Sequence, residues 1–123
     1  MLYPRRIAVI GFAFAALATT GLLAEDGSSG DATKGQQIYS IYCVTCHGPA
    51  GKGDGPVGKT LTPPPRDFTV GAFKFGDSNQ DIFETISNGA ASKGGSPLMA
   101  PWGAVIPEAD RWDLVAYVRT LKQ

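Results

Sequence analysis

Cys43-Val44-Thr45-Cys46-His47 gathers both cysteines and the only histidine of the chain into five residues. Any fold this chain adopts must bring those three side chains to one place. The two thiols sit three residues apart, and an imidazole follows the second at once. Four chemistries can use such a set. A thioredoxin-like dithiol expects a βαβ setting, and no hydrophobic strand precedes Cys43. A structural zinc ion normally takes four Cys or His ligands, whereas this chain has three, bunched together. A plain disulfide leaves His47 without a task. The fourth reading uses all three residues: C-x-x-C-H is the spacing of c-type haem attachment. The thiols reach the two vinyl groups on one edge of the macrocycle, and His47 turns its ring onto the iron.

The amino terminus agrees with that chemistry. Arg5 and Arg6 form a positive start, and residues 7–24 are an apolar run broken only by Thr19 and Thr20. This is the layout of a secretory signal, and its charge keeps the start in the cytoplasm while the rest is exported. Covalent haem is joined to reduced thiols on the far side of the bacterial inner membrane, so a periplasmic location is expected. Ala16-Leu17-Ala18 fits the small-x-small cleavage pattern. Eighteen apolar-leaning residues also reach the lower limit of a membrane span. Cleavage and retention as an inner-membrane anchor both stay open. The expected organisation is a signal or anchor over 1–24, a linker over 25–31 (EDGSSG leading to Asp31) and one domain over 32–123.

Lys and Arg number 11, and so do Asp and Glu. Setting aside Arg5 and Arg6 leaves 9 basic residues against 11 acidic ones, so the exported chain carries a net charge of −2. There is no basic block or stripe, which argues against a nucleic-acid partner and against a strongly lysine-ringed docking face.

Three helices are expected, and no strand pattern occurs. The first runs from about 32 to 42, capped by Asp31, with Ile38, Tyr39, Ile41 and Tyr42 at helical spacing. Gly35, four residues before Tyr39, suits either a tolerated weak position or a close crossing with another helix. The second opens at Ser78 with Asp81 three residues on, a capping-box variant, presents Ile82, Phe83 and Ile86, and stops at Gly89. The third starts at Pro107-Glu108 and runs to about Leu121, with Trp112, Val115, Ala116, Tyr117 and Leu121 as its buried face. Residues 48–65 between them hold five glycines, five prolines and almost no aliphatic residues. Gly51-Lys52-Gly53-Asp54-Gly55 lacks the flanking signals of a phosphate or calcium loop and reads as turn chemistry. Such a chain has little core of its own, and a flat apolar macrocycle would complete it.

A haem iron held by His47 has a second axial position. Met1 belongs to the export segment, so Met99 is the only thioether in the domain. It lies between Pro97 and Pro101 on a loop, where gap-filling in a core explains it less well than ligation. His/Met is the pair of an electron-transfer haem.

C-x-x-C-H after an amino-terminal helix, a Pro-x-Met loop and a terminal aromatic helix together resemble the class I c-type cytochromes over residues 32–121. The stretches CHGPAGKGDGP and LTPPPRDFT resemble its bacterial periplasmic and membrane-associated branch. The resemblance implies a small all-α fold around one covalent haem c, with Cys43 and Cys46 as thioether positions. His47 is then the proximal and Met99 the distal iron ligand. It sets Gly35 and Tyr39 at a helix crossing, faced by Trp112 and Tyr117. A carbonyl of the 63–65 turn, centred on Pro64, is the expected acceptor for the His47 ring N–H. Arg66 and Trp102 are candidates for the haem propionates, unless Arg66 is simply exposed and paired with Asp67. The implied function is one-electron transfer between redox proteins such as a dehydrogenase, an oxidase or a respiratory complex, with no catalytic acid–base pair. Two alternatives remain: a haem subunit of a larger dehydrogenase or oxidase, and a ligand-binding or peroxidatic protein with an open sixth site.

Overall fold

The computed structural model describes residues 30–123; the export segment and most of the linker expected above lie outside the described residues. Four α-helices occur among them and no strand: α1 (Ala32–Tyr42), α2 (Val44–His47), α3 (Asn79–Asn88) and α4 (Glu108–Thr120). Short 3-10 turns at Gly58–Thr60, Phe68–Val70 and Ala90–Lys93 punctuate the loops. The all-α expectation holds. The short helix α2 is an addition to the three expected, since four residues give no periodicity to read.

The helix ends follow local chemistry. Asp31 caps α1, its carboxylate accepting from the amides of Thr33 and Lys34. Ser78 and Asp81 form a reciprocal capping box on α3, which ends at Gly89 with φ +76°. Pro107 precedes α4, and Glu108 and Asp110 lie in its first turn, where the helix dipole favours acids.

The framework is the crossing of α1 and α4. A Cβ on Gly35 would overlap the Asp113 carbonyl and the Tyr117 Cβ, so only a missing side chain allows this approach. One turn on, the Tyr39 and Tyr117 rings meet edge to face at 5.1 Å. Tyr39, Ile106, Leu114, Tyr117 and Val118 form the core cluster. The Trp112 backbone lies against Gly30, just before α1. Its indole stacks on Phe83 of α3 at 4.1 Å, because α3 also packs on α4. Ile41 is also displaced from expectation: it is 69% exposed. The crossing turns the other stripe of α1 inward, and Leu114 and Val118 fill the position facing it. Of the large side chains, only Leu114 and Val115 are sealed completely, so the helices leave space between them. No helix of the described residues is long and apolar enough to cross a membrane.

Gly35→Ala should therefore cost at least the ~1–3 kcal/mol of an overpacked core, because the clash is with backbone. A chemical-denaturation midpoint close to that of the wild type would contradict this.

Candidate functional site

The space left by the helices is a cavity of about 540 Å³. Leu61, Phe68, Phe73, Ile82, Ile86, Leu114 and Val118 contribute to its apolar wall. Cys43, Cys46, His47, Pro64, Arg66, Met99 and Trp102 all line the same cavity. Every site residue singled out in the sequence is thus brought to one place.

Helix α2 presents the thiols and the imidazole. The amides of Cys46 and His47 bond back to the Cys43 carbonyl, at 3.2 and 2.9 Å, so the two cysteines share one helical face. A helix end leaves carbonyls in need of donors, and the glycine-rich loop supplies them. The Val57, Gly55 and Gly53 amides bond to the carbonyls of Thr45 (3.0 Å), Cys46 (3.2 Å) and His47 (2.8 Å). A Cβ on Gly55 or Gly58 would collide with the Thr45 or Cys46 carbonyl. Gly48, Gly51 and Gly53 of this loop take positive φ, at +78°, +71° and +75°. Some of the loop is turn chemistry as expected, and the remainder is close approach to α2. Tyr39 joins α1 to the same place, its buried hydroxyl donating to the Gly48 carbonyl at 2.7 Å. Burial, with Cys43 nearby, raises the Tyr39 pKa, so the hydroxyl keeps its proton.

Cys43 and Cys46 are free thiols. Burial pushes the Cys43 thiol up to about 12, with Cys46 alongside adding to the effect. Reactive C-x-x-C dithiols have lowered pKa values, so this environment is the opposite of a thioredoxin-like one. The site also lacks the convergence zinc requires: among the described residues, no three His, Cys, Asp or Glu side chains cluster so as to hold an ion.

His47 is half-buried, and its Nδ1, sealed from solvent, makes no hydrogen bond of good geometry. Burial lowers its pKa, and the Arg66 backbone acts more weakly in the other direction. The expected acceptor in the proline run is therefore displaced. The Pro65 carbonyl backs onto Gly53, and the backbone group that the ring senses belongs to Arg66, just past the run. The His47 ring is instead stacked on Phe68, with centroids 4.6 Å apart and planes 17° from parallel.

Arg66 does not pair with Asp67. Its guanidinium donates to the Ala72 carbonyl through Nε at 2.7 Å and through Nη2. The Asp67 carboxylate accepts from the Thr69 amide at 2.8 Å and the Thr69 hydroxyl at 2.6 Å. Trp102 lies 5.3 Å from Tyr42, ring to ring, at the cavity wall. The Met99 loop is tied to the end of α3: the Ala90 amide donates to the Met99 carbonyl at 3.1 Å, and Trp102 and Gly103 donate to Ile86 and Ser87. Gly89 allows that approach, since a Cβ there would press on the Met99 carbonyl. Phe68, Lys52 and Lys74 also line the cavity, and the sequence reading missed them. Their one sequence signal was position beside the glycine- and proline-rich loops, which carries no periodicity.

A flat, mostly apolar group with an acidic edge fits these walls. The lining offers two thiols, an imidazole, a thioether and three cations against the single carboxylate of Asp67.

Residues 30–118 match the family model described as Cytochrome C oxidase, cbb3-type, subunit III. The chain is 34% identical over 98 residues to the cbb3-type cytochrome c oxidase subunit FixP of Azorhizobium caulinodans, covering 80% of this chain and 30% of that protein. It is 35% identical over 96 residues to cytochrome c-554(547) of Halothiobacillus neapolitanus, covering 76% of this chain and 100% of that protein. Among solved structures, a chain of the Kuenenia stuttgartiensis reducing HAO-like protein complex Kustc0457/Kustc0458 superposes with a TM-score of 0.64 at 33% identity. That match covers 72% of this chain and 41% of the other. The chain thus spans less than half the length of the oxidase subunit and of the complex's chain, and the whole of cytochrome c-554(547).

The buried imidazole makes a prediction about pH. With the His47 pKa held below its ordinary 6.5, the unfolded chain binds more protons than the folded one once pH drops below about 6.5. Stability is then full above that value and declines as pH falls toward the depressed native pKa. Urea midpoints across this range should show the decline in the wild type and a flatter profile in His47→Gln. Equal slopes in the two proteins would refute it.

Proposed function

The chain belongs to the c-type cytochrome family described as cbb3-type cytochrome c oxidase, subunit III, and we propose that it carries single electrons on one haem joined to Cys43 and Cys46 and held between His47 and Met99. The observation behind this reading is that all four side chains line one apolar cavity. When bound, haem supplies one-electron cycling between ferric and ferrous iron.

The chain's own residues do the rest. Cys43 and Cys46, both free thiols, would hold the haem as thioethers, a linkage that requires them to be reduced. Burial favours the neutral form of His47, which is the state a metal ligand requires. The Met99 thioether would raise the reduction potential, and its loop is anchored through Ala90 to the 3-10 turn that follows α3. The apolar wall excludes water. Lys52, Arg66 and Lys74 on the cavity lining suit the two haem carboxylates, together with the Trp102 indole, and Pro64 contributes to the wall.

The export pattern of residues 1–24 supports a periplasmic site of action, with residues 7–24 either removed or kept as an inner-membrane anchor. A second reading is favoured by the likeness to FixP and to a chain of the HAO-like complex: the domain serves as a haem subunit of a larger oxidoreductase. Co-purification from membranes with other subunits supports that reading, and recovery as a single species in the periplasmic fraction supports the free carrier.

Met99→Ala should lower the reduction potential markedly, measured by redox titration of the holoprotein. An unchanged potential would mean that Met99 only packs against the wall and that the sixth position is open.

A further inference from the structure

We propose that Phe68 is the positioning residue that fixes the plane of the His47 imidazole. This rests on the reading of His47 as the proximal ligand. The two rings are nearly parallel, 17° apart with centroids at 4.6 Å, so rotation of the imidazole about its Cβ–Cγ bond would sweep an edge into the phenyl face.

Phe68 is itself held from several sides. Its amide donates to the Gly51 carbonyl at 2.7 Å. Asp67 caps the 3-10 turn Phe68–Val70 by accepting from Thr69. The Phe73 ring lies 5.8 Å from Phe68, 30° from parallel. The Arg119 guanidinium sits 5.1 Å from the Phe73 centroid, fixed by the Asn79 side-chain oxygen at 2.8 Å and by the Asp77 carbonyl. The Gln123 amide donates to the Thr69 carbonyl at 3.1 Å, closing the chain's end onto the same turn. A column therefore runs from α4 through Phe73 and Phe68 to His47.

The column matters because it acts on the flat face of the ring. A ligating histidine is normally oriented by a hydrogen bond from its second ring nitrogen. Here the Arg66 backbone is the group that the ring senses, but Nδ1 makes no hydrogen bond of good geometry. The Phe68 stack limits the rotation that this loose contact allows. The imidazole plane governs how ligand π orbitals overlap the iron d orbitals, so it is written in the magnetic anisotropy of the ferric state.

The test is the electron paramagnetic resonance spectrum of ferric holoprotein. Phe68→Leu should shift the principal g-values beyond the wild-type linewidth. Phe68→Tyr, which keeps the flat ring, should retain them. Phe73→Leu, which loosens the support but leaves the stack, should shift them less than Phe68→Leu. Wild-type g-values in Phe68→Leu, or an equal shift in Phe73→Leu, would overturn the proposal. If Phe68→Leu fails to hold haem, Phe68→Met against Phe68→Tyr decides by the same criteria. A high-spin wild-type spectrum would instead refute the His47/Met99 pair. It would leave the Phe68 comparison readable, because His47 is the proximal ligand in either case.

Discussion

The contact of α1 with α4 at Gly35 sets the position of everything that follows. Backbone meets backbone there, with no Cβ between the helices. Tyr39 is carried into the core one turn later, and its hydroxyl holds the Gly48 carbonyl. Gly48 follows His47 directly, so the imidazole is referenced to the helix crossing through one short hydrogen bond. Moving α1 by a fraction of an ångström would move the ring that the site depends on.

From that fixed point the chain builds a shell rather than a core. Its loops are not passive connections. The glycines of residues 51–58 come close enough to donate to the carbonyls that end α2, and the Met99 loop leans on the end of α3 in the same way. Both sides of the cavity are thus set by backbone hydrogen bonds that larger side chains would break. A protein with few fully buried large residues needs something else to fill its centre, and the apolar wall shows what kind of surface that must be. Folding and cofactor binding are then one problem, which is the usual consequence when a site contributes much of the buried area.

Much of this was legible in the sequence. Cys43, Cys46 and His47 announce themselves by spacing, Met99 by being the only thioether left, and the helix ends by Asp31, Ser78, Gly89 and Pro107. These signals are local, and each follows from the chemistry of a few neighbouring residues. What stayed hidden depends on contacts across the chain. Ile41 has the right spacing for a core position, yet the crossing turns it outward. Leu114 and Val118 have the same helical character as their neighbours, and only the partner helix selects them. Arg66 offered its charge to haem or Asp67, and the structure gives most of it to the Ala72 carbonyl. Phe68 carried no signal beyond its place beside the proline run, because its partner lies 21 residues away and stacking leaves no periodic trace.

The proposed haem site, with both axial positions taken by His47 and Met99, would make the domain a carrier and not a reaction chamber. The most direct measurement is the visible spectrum of the purified wild-type holoprotein, oxidised and then reduced, with and without carbon monoxide. The account predicts the sharp split bands of low-spin haem c on reduction, and no change when carbon monoxide is added. Broad high-spin bands, or a prompt shift under carbon monoxide, would contradict it.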